Sequence, residues 1–458
     1  MAQQSSTKVD VTKLAPFRFR NIDGDVLVVS EWGDWMWMTR DEFDTFSGGR
    51  IKKDHEIYNQ LYRSRLVSDA LTDNTVIEAV RQRKVARFSG PSVHTVILCD
   101  QQGDLMPGST LNRALDTAFL STNPNLEFRF CSNGRRLPLP LIHEATAYIR
   151  RKNQLAQKNC TMVYLDIPTL IEPESIEKFA ELGVSVRAVI IDPSTSTETF
   201  LQRVEALAKL QLEWRKYQHT NCEIAAVCIP GQRNVADYSD WIDTIVDVGC
   251  TSFTVRRGDI LDVWSDPQHY SRLPSADFLK VYNDSVRKFI EKSTKDRPII
   301  EKSAADAFSR ILRHVEPKHP ITSNPSTAGI GELAFGPGGE VFVSYNGFRA
   351  TKLGVQQFQV GHLPEHGYHD LMSHPTVRSL VMATTLEGQA GWAESAYLPF
   401  SGVCPVLSYL EQGSISGRMP DSDQTRQTFG ILDSLFRLIR SATDTTNVII
   451  QSWIDSVV

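Results

Sequence analysis

The chain has 458 residues, of which 41% are hydrophobic and 22% charged, with a formal net charge of −5. That length allows two or three domains around a substantial core. The mild negative charge gives nucleic acid and anionic membranes no electrostatic claim as main partners. No apolar run reaches the roughly 18–20 residues of a membrane span, and the N-terminal residues Met1–Thr7 carry no signal-peptide pattern. Seven scattered cysteines, with no CxxC among them, fit a reducing, cytoplasmic setting.

In chain order, Pro16–Arg20 and Asp25–Ser30 predict strands around the Asp23-Gly24 turn. Trp32 follows near a second turn, and Trp35 and Trp37 share one face of a third strand. Helices are expected at 40–46 and 54–64, which together make a winged-helix-like module. The run Arg81–Arg87 reads as a solvated basic connector, since no aromatic residue interleaves with its charges. From Val93 the pattern becomes strand then helix. Apolar strands at 93–99, 126–132, 161–167, 186–192, 223–229 and 251–257 alternate with helices at 111–121, 140–152, 174–182, 197–217, 237–248 and 275–293. Six such units predict an α/β fold with a partial (β/α)6 TIM-like barrel. Beyond the Pro-rich 317–325 stretch, 331–335 and 340–344 flank Pro337-Gly338-Gly339, a hairpin signal. Little regular structure is expected from 344 to 430, before a helix over 430–441.

Five stretches carry a family likeness. They are Pro16-Phe17-Arg18-Phe19-Arg20, Gly329–Phe335, Gly402-Val403-Cys404-Pro405-Val406, Arg418-Met419-Pro420 and Gly430-Ile431-Leu432-Asp433. With the barrel pattern, they resemble the radical SAM proteins that bear a SPASM-type C-terminal region. Among these the chain is most similar to the B-type maturases of the His-Xaa-Ser peptide system. The resemblance implies divisions at 1–88 (peptide-recognition-like module and linker), 89–320 (barrel) and 321–458 (SPASM-like region).

The resemblance also implies ligands that this chain lacks. Radical SAM chemistry uses a CxxxCxxC loop after the first barrel strand, whose thiolates hold a [4Fe–4S] cluster that chelates S-adenosylmethionine. Cys99 stands near the first position, but Asp100–Thr110 supplies no second thiol and is short for wrapping a cluster. The family's Gly-Gly-Glu-Pro turn is replaced by Cys131-Ser132-Asn133-Gly134-Arg135-Arg136, which has no acidic residue. The family's seven SPASM cysteines fall on Ser326, Ser344, Trp392, Ser395, Ser401, Cys404 and about Thr425. Ser and Thr hydroxyls are poor iron ligands at neutral pH, and Trp is none at all. No cofactor and no metal are therefore expected. Trp392 is expected to be buried where a cluster would sit, packed beside residues around Cys404.

Cys99, Cys131, Asp166, Asp192, Arg256 and Arg257 sit at or near strand ends, the rim where barrels bind ligands. They are pocket-lining candidates. Against this, Asp166 and Asp192 lie just before prolines and also read as turn residues, and both cysteines also read as buried thiols. The four histidines of 361–374 lie in a Pro/Gly-bearing stretch and read as surface rather than metal ligands. Trp32 is a peptide-binding candidate, because a module of this kind adds an extended peptide to a sheet edge.

These expectations converge on a catalytically inactive pseudoenzyme of bacterial type. It binds a peptide substrate or a partner maturase within a multi-protein system. The alternatives are an iron-free barrel enzyme using strand-end residues and an assembly subunit of an unrelated complex.

Overall fold

The computed structural model describes residues 13–84, 89–99, 103–132, 138–168, 173–217, 223–265, 272–315 and 323–457. Three antiparallel strands open it: β1 (Phe17–Ile22), β2 (Asp25–Ser30) and β3 (Trp35–Met38), in the order β1-β2-β3. Asp23 and Gly24 both have positive φ, which the two-residue turn between β1 and β2 requires. Met36 and Met38 face the module's own core with Phe43, Phe46 and Leu61, as the period of two dictates. The helix Arg40–Ser47 starts with Thr39 and Glu42 in a capping box.

Two expectations for this module are corrected. The second helix is the short Tyr58–Arg63, and Arg81–Lys84 closes the helix Asp73–Lys84 instead of linking domains. The remainder of that basic run, 85–87, lies outside the described residues.

The barrel strands are β4 (Val93–Ile97), β5 (Asn125–Cys131), β6 (Asn159–Pro168), β7 (Ser185–Ile191), β8 (Ile224–Cys228), β9 (Ser252–Val255) and the short β10 (Ile300–Glu301). They pair in parallel and in sequence. The six expected strands are all present, and β10 adds a seventh. The sheet does not close. Its outer edge beyond β4 continues as β11 (Glu332–Phe335), parallel to β4, then antiparallel β12 (Glu340–Phe342) and β13 (Gln359–His362). The result is a mixed α/β fold with a partial barrel, as expected.

Alternation assigns the two faces. Val96, Leu98, Phe128, Phe130, Tyr164 and Ala188 pack under the helices in the main core. Ile97, Cys131, Leu165 and Ala334 face the other way, into the barrel.

The segment 344–430 is more ordered than expected. Helices run over Tyr345–Ala350, Tyr368–Met372, Pro375–Ala383 and Pro405–Gln412, before the long Asp423–Arg440. Short helices of five to nine residues are too brief for hydrophobic periodicity to announce them.

Candidate functional site

At the barrel's first strand end, the chain turns back at once. Cys99 bridges Leu105, and the Met106 amide donates to the Leu98 carbonyl at 2.9 Å, so the next helix begins at Gly108. Cys99 and Cys131 are both buried. Cys131 sits on the inward face with Ile97 and Leu165, against Phe342 and Phe348, with Tyr345 half-buried beside them. Tyr345 and Phe348 come from the six-residue helix that Ser344 caps by accepting from the Gly347 amide at 3.2 Å. Buried Glu332 fastens the same helix by accepting from the Tyr345 amide at 2.9 Å, and burial pushes its carboxyl above the usual range.

Arg349, on that helix, reaches the turn after β9. It donates to Asp262 at 2.7 Å and pairs with Asp259 at 3.2 Å. Arg256 meets the same Asp262 at 2.6 Å. Burial opposes ionisation of Asp262, but the two guanidiniums prevail and hold its carboxyl well below the usual range. This network and the Tyr345/Phe348 pair were not anticipated. Tyr345 and Phe348 stand at i, i+3 behind a serine cap, the only local signal that could have revealed them.

Of the other strand-end residues, Asp192 and Arg257 are committed to structure. Asp192 accepts from the Ser194 amide at 2.8 Å and pairs with Arg203 at 2.7 Å, which lowers its pKa against the opposing effect of burial. Arg257 is buried, donates to the Leu273 carbonyl and to Ser275, and pairs with Asp423. Asp166 lies in β6, but its side chain is outside the described residues. Trp32 is half-buried in the β2–β3 turn, where its amide donates to Ser30.

The SPASM-like positions form two neighbouring groups. Trp392 is 1% exposed, packed with Leu386, Leu398 and Val403, and its ring meets Phe429 edge-on at 5.4 Å. Ser326 is buried, and its amide donates to the Thr384 hydroxyl at 3.0 Å. Ser395 accepts from the Tyr397 amide at 3.2 Å. In the second group, Asn346 donates to the Cys404 thiol at 3.6 Å, and the Cys404 amide donates to Gln424. Burial pushes the Cys404 thiol up to about 11, so it is no thiolate at neutral pH. Ser401 and Thr425 are buried, and the Ser401 carbonyl accepts from Arg310 at 3.5 Å. Among the described residues, no three His, Cys, Asp or Glu side chains come together as metal ligands, and no helix is long and apolar enough to cross a membrane.

No protein-family model and no curated protein matches the chain. Solved structures do. Native anSMEcpe with bound AdoMet and Cp18Cys peptide is 11% identical, with a TM-score of 0.59 over 79% of this chain and 100% of that one. A polyhistidine-tagged form of anSMEcpe with bound AdoMet is 9% identical, with a TM-score of 0.57 over 79% and 98%. Streptococcus suis SuiB bound to precursor peptide SuiA covers 90% of this chain and 99% of that one at 14% identity and a TM-score of 0.49. At these identities the likeness is one of fold: this chain has the partial-barrel and SPASM-region architecture of the radical SAM maturases.

Proposed function

We propose that this chain is a catalytically silent protein of radical SAM fold. It serves as a binding or scaffold subunit for a peptide, or for a partner maturase, in a cytoplasmic multi-protein system. One observation carries the reading: on the inward face of the barrel, Ile97, Cys131 and Leu165 pack against the chain's own Phe342 and Phe348, with Tyr345 half-buried beside them. Ser344, Ser395 and Trp392, at three of the SPASM-like positions, support it, since they cap a helix, accept a local hydrogen bond and pack in an apolar cluster where an iron–sulfur cluster would need thiolates. A peptide partner is in keeping with the peptide bound to anSMEcpe in one of the similar structures. The ion pairs of Asp192, Arg256 and Arg257 speak against an iron-free enzyme built on the rim.

The test is chemical. Purified protein, reconstituted anaerobically with iron and sulfide, is expected to hold no stoichiometric cluster, and calorimetry is expected to detect no micromolar binding of S-adenosylmethionine. A brown chromophore near about 400 nm with matching iron and sulfide would overturn the reading.

A further inference from the structure

Ser401 and Thr425 are 0% and 5% exposed, yet neither hydroxyl has a hydrogen-bond partner. The Gln424 side-chain nitrogen is in the same condition. These atoms belong to one layer. Thr425 stands one turn before Phe429 on the helix Asp423–Arg440 and so shares its face. Phe429 packs edge-on against both Trp392 and Tyr397. Ser401 lies between Phe400 and Val403, which pack in that same aromatic layer. The Cys404 amide bonded to Gln424 at 3.3 Å ties the two segments together.

A buried hydroxyl without a partner is destabilising, and native proteins rarely leave several such atoms unpaired. Trp392, Leu398, Val403 and Phe429 pack in the same layer, and the buried Arg310 guanidinium donates to the Ser401 carbonyl at 3.5 Å. A further cation there would meet the Arg310 guanidinium with no anion among these residues to offset it. A hydroxyl both donates and accepts, and an amide nitrogen donates, so the ligand must do both and must be small. We propose that ordered water occupies this seam and bridges Ser401, Thr425 and Gln424. Water would thus complete the layer that Trp392 fills on its apolar side. The inference rests on burial and hydrogen bonding alone, and holds whether or not these positions correspond to cluster ligands.

Thr425→Val keeps shape and removes only the hydroxyl, so it separates a wet seam from a dry one. With bridging water, Thr425→Val and Ser401→Ala are each expected to lower Tm by about 1–3 °C, and the double variant by less than the sum, because the two share a bridge. A Tm that is unchanged or raised in Thr425→Val would overturn the proposal, since deleting an unhydrated hydroxyl relieves a cost. If a variant fails to fold, a crystal structure of the unaltered chain decides. Water within hydrogen-bonding distance of both hydroxyls supports the proposal, and its absence from well-ordered density there overturns it.

Discussion

Arg20 grips Asp433 with both ends of its guanidinium, Nε at 2.6 Å and an Nη at 2.7 Å from the two carboxylate oxygens. The same Arg20 lies over the Tyr397 and Phe429 rings, each at 5.1 Å, and Tyr397 donates its hydroxyl to Asp433. One strand of the N-terminal sheet thus holds the aromatic layer of the C-terminal region. Arg18 adds a bond to the carbonyl of Ala393, next to Trp392, and Trp35 donates to the Ile311 carbonyl at 3.1 Å. The bidentate, stacked geometry is one that lysine cannot copy. Arg20→Lys is therefore expected to lose most of what Arg20→Ala loses, about 1–3 kcal/mol. Chemical denaturation and limited proteolysis of the N-terminal module would measure both.

Trp392→Ala is expected to cost about 3–5 kcal/mol, the range for a large buried ring. Cys404→Ser, by contrast, should cost no more than about 1–2 kcal/mol, because the thiol packs and accepts only weak bonds, from Asn346 and the Val406 and Leu407 amides. Thermal melts of the two variants check the contrast. Equal, small effects would mean that Trp392 is not what holds this region.

Arg349→Ala leaves Asp262 with Arg256 as its remaining guanidinium and deprives Asp259 of the Arg349 pair. A buried carboxylate stripped of one partner should cost about 2–4 kcal/mol in urea unfolding. The same variant should loosen the helix Tyr345–Ala350, seen as faster hydrogen exchange there.

Glu301 is fully buried, and burial raises its pKa to about 7, although it accepts from the Val255 and Ala304 amides and from the Tyr282 hydroxyl. Between about pH 4.5 and pH 7 the unfolded chain has released a proton that the native state keeps. Stability from this group therefore falls as pH rises through that window, by up to about 3 kcal/mol. His94 works in the opposite sense: burial lowers its pKa to about 3, so its contribution is lost as pH falls from about 6.5 towards that value. The two partly cancel between about pH 4.5 and 6.5. Comparing Glu301→Gln with the unaltered chain isolates the first effect. The difference in Tm should change steadily from about pH 5 to about pH 8, and a constant difference would contradict it.

Strand and helix alternation made the barrel legible, because buried parallel strands are near-continuous apolar runs whose ends are marked by turns. Alternation also put Trp35 and Trp37 on one face. It could not say what that face meets, which is Phe436 and Arg440 of a helix near the other end of the chain. Asp192 was readable as a turn residue from the following proline, whereas its partner Arg203 depends on how a helix packs back on β7. Ser344 illustrates the same limit. Its spacing suggested a vanished ligand, and its local role, capping a six-residue helix, lay in a stretch too short to show a period. Around Trp392, composition indicated a large ring at a conspicuous place. The neighbours that bury it come from separate segments and belong to tertiary structure.

The parallel pairing of β11 with β4, from Glu332↔Val93 to Phe335↔Val96, has a consequence for the order in which the chain is made. Residues 93–97 leave the ribosome long before 332–335. The helices that follow β4 to β10 can cover one sheet face as they emerge, but among the described residues nothing in that interval pairs with the outer edge of β4. A strand that is fully buried in the finished fold is thus left with an open row of amides and carbonyls during most of synthesis. Nascent chains halted before residue 332 should consequently aggregate or recruit chaperones, and those released after the β12 segment should not. The last third of the molecule acts, in this sense, as the barrel's own edge guard.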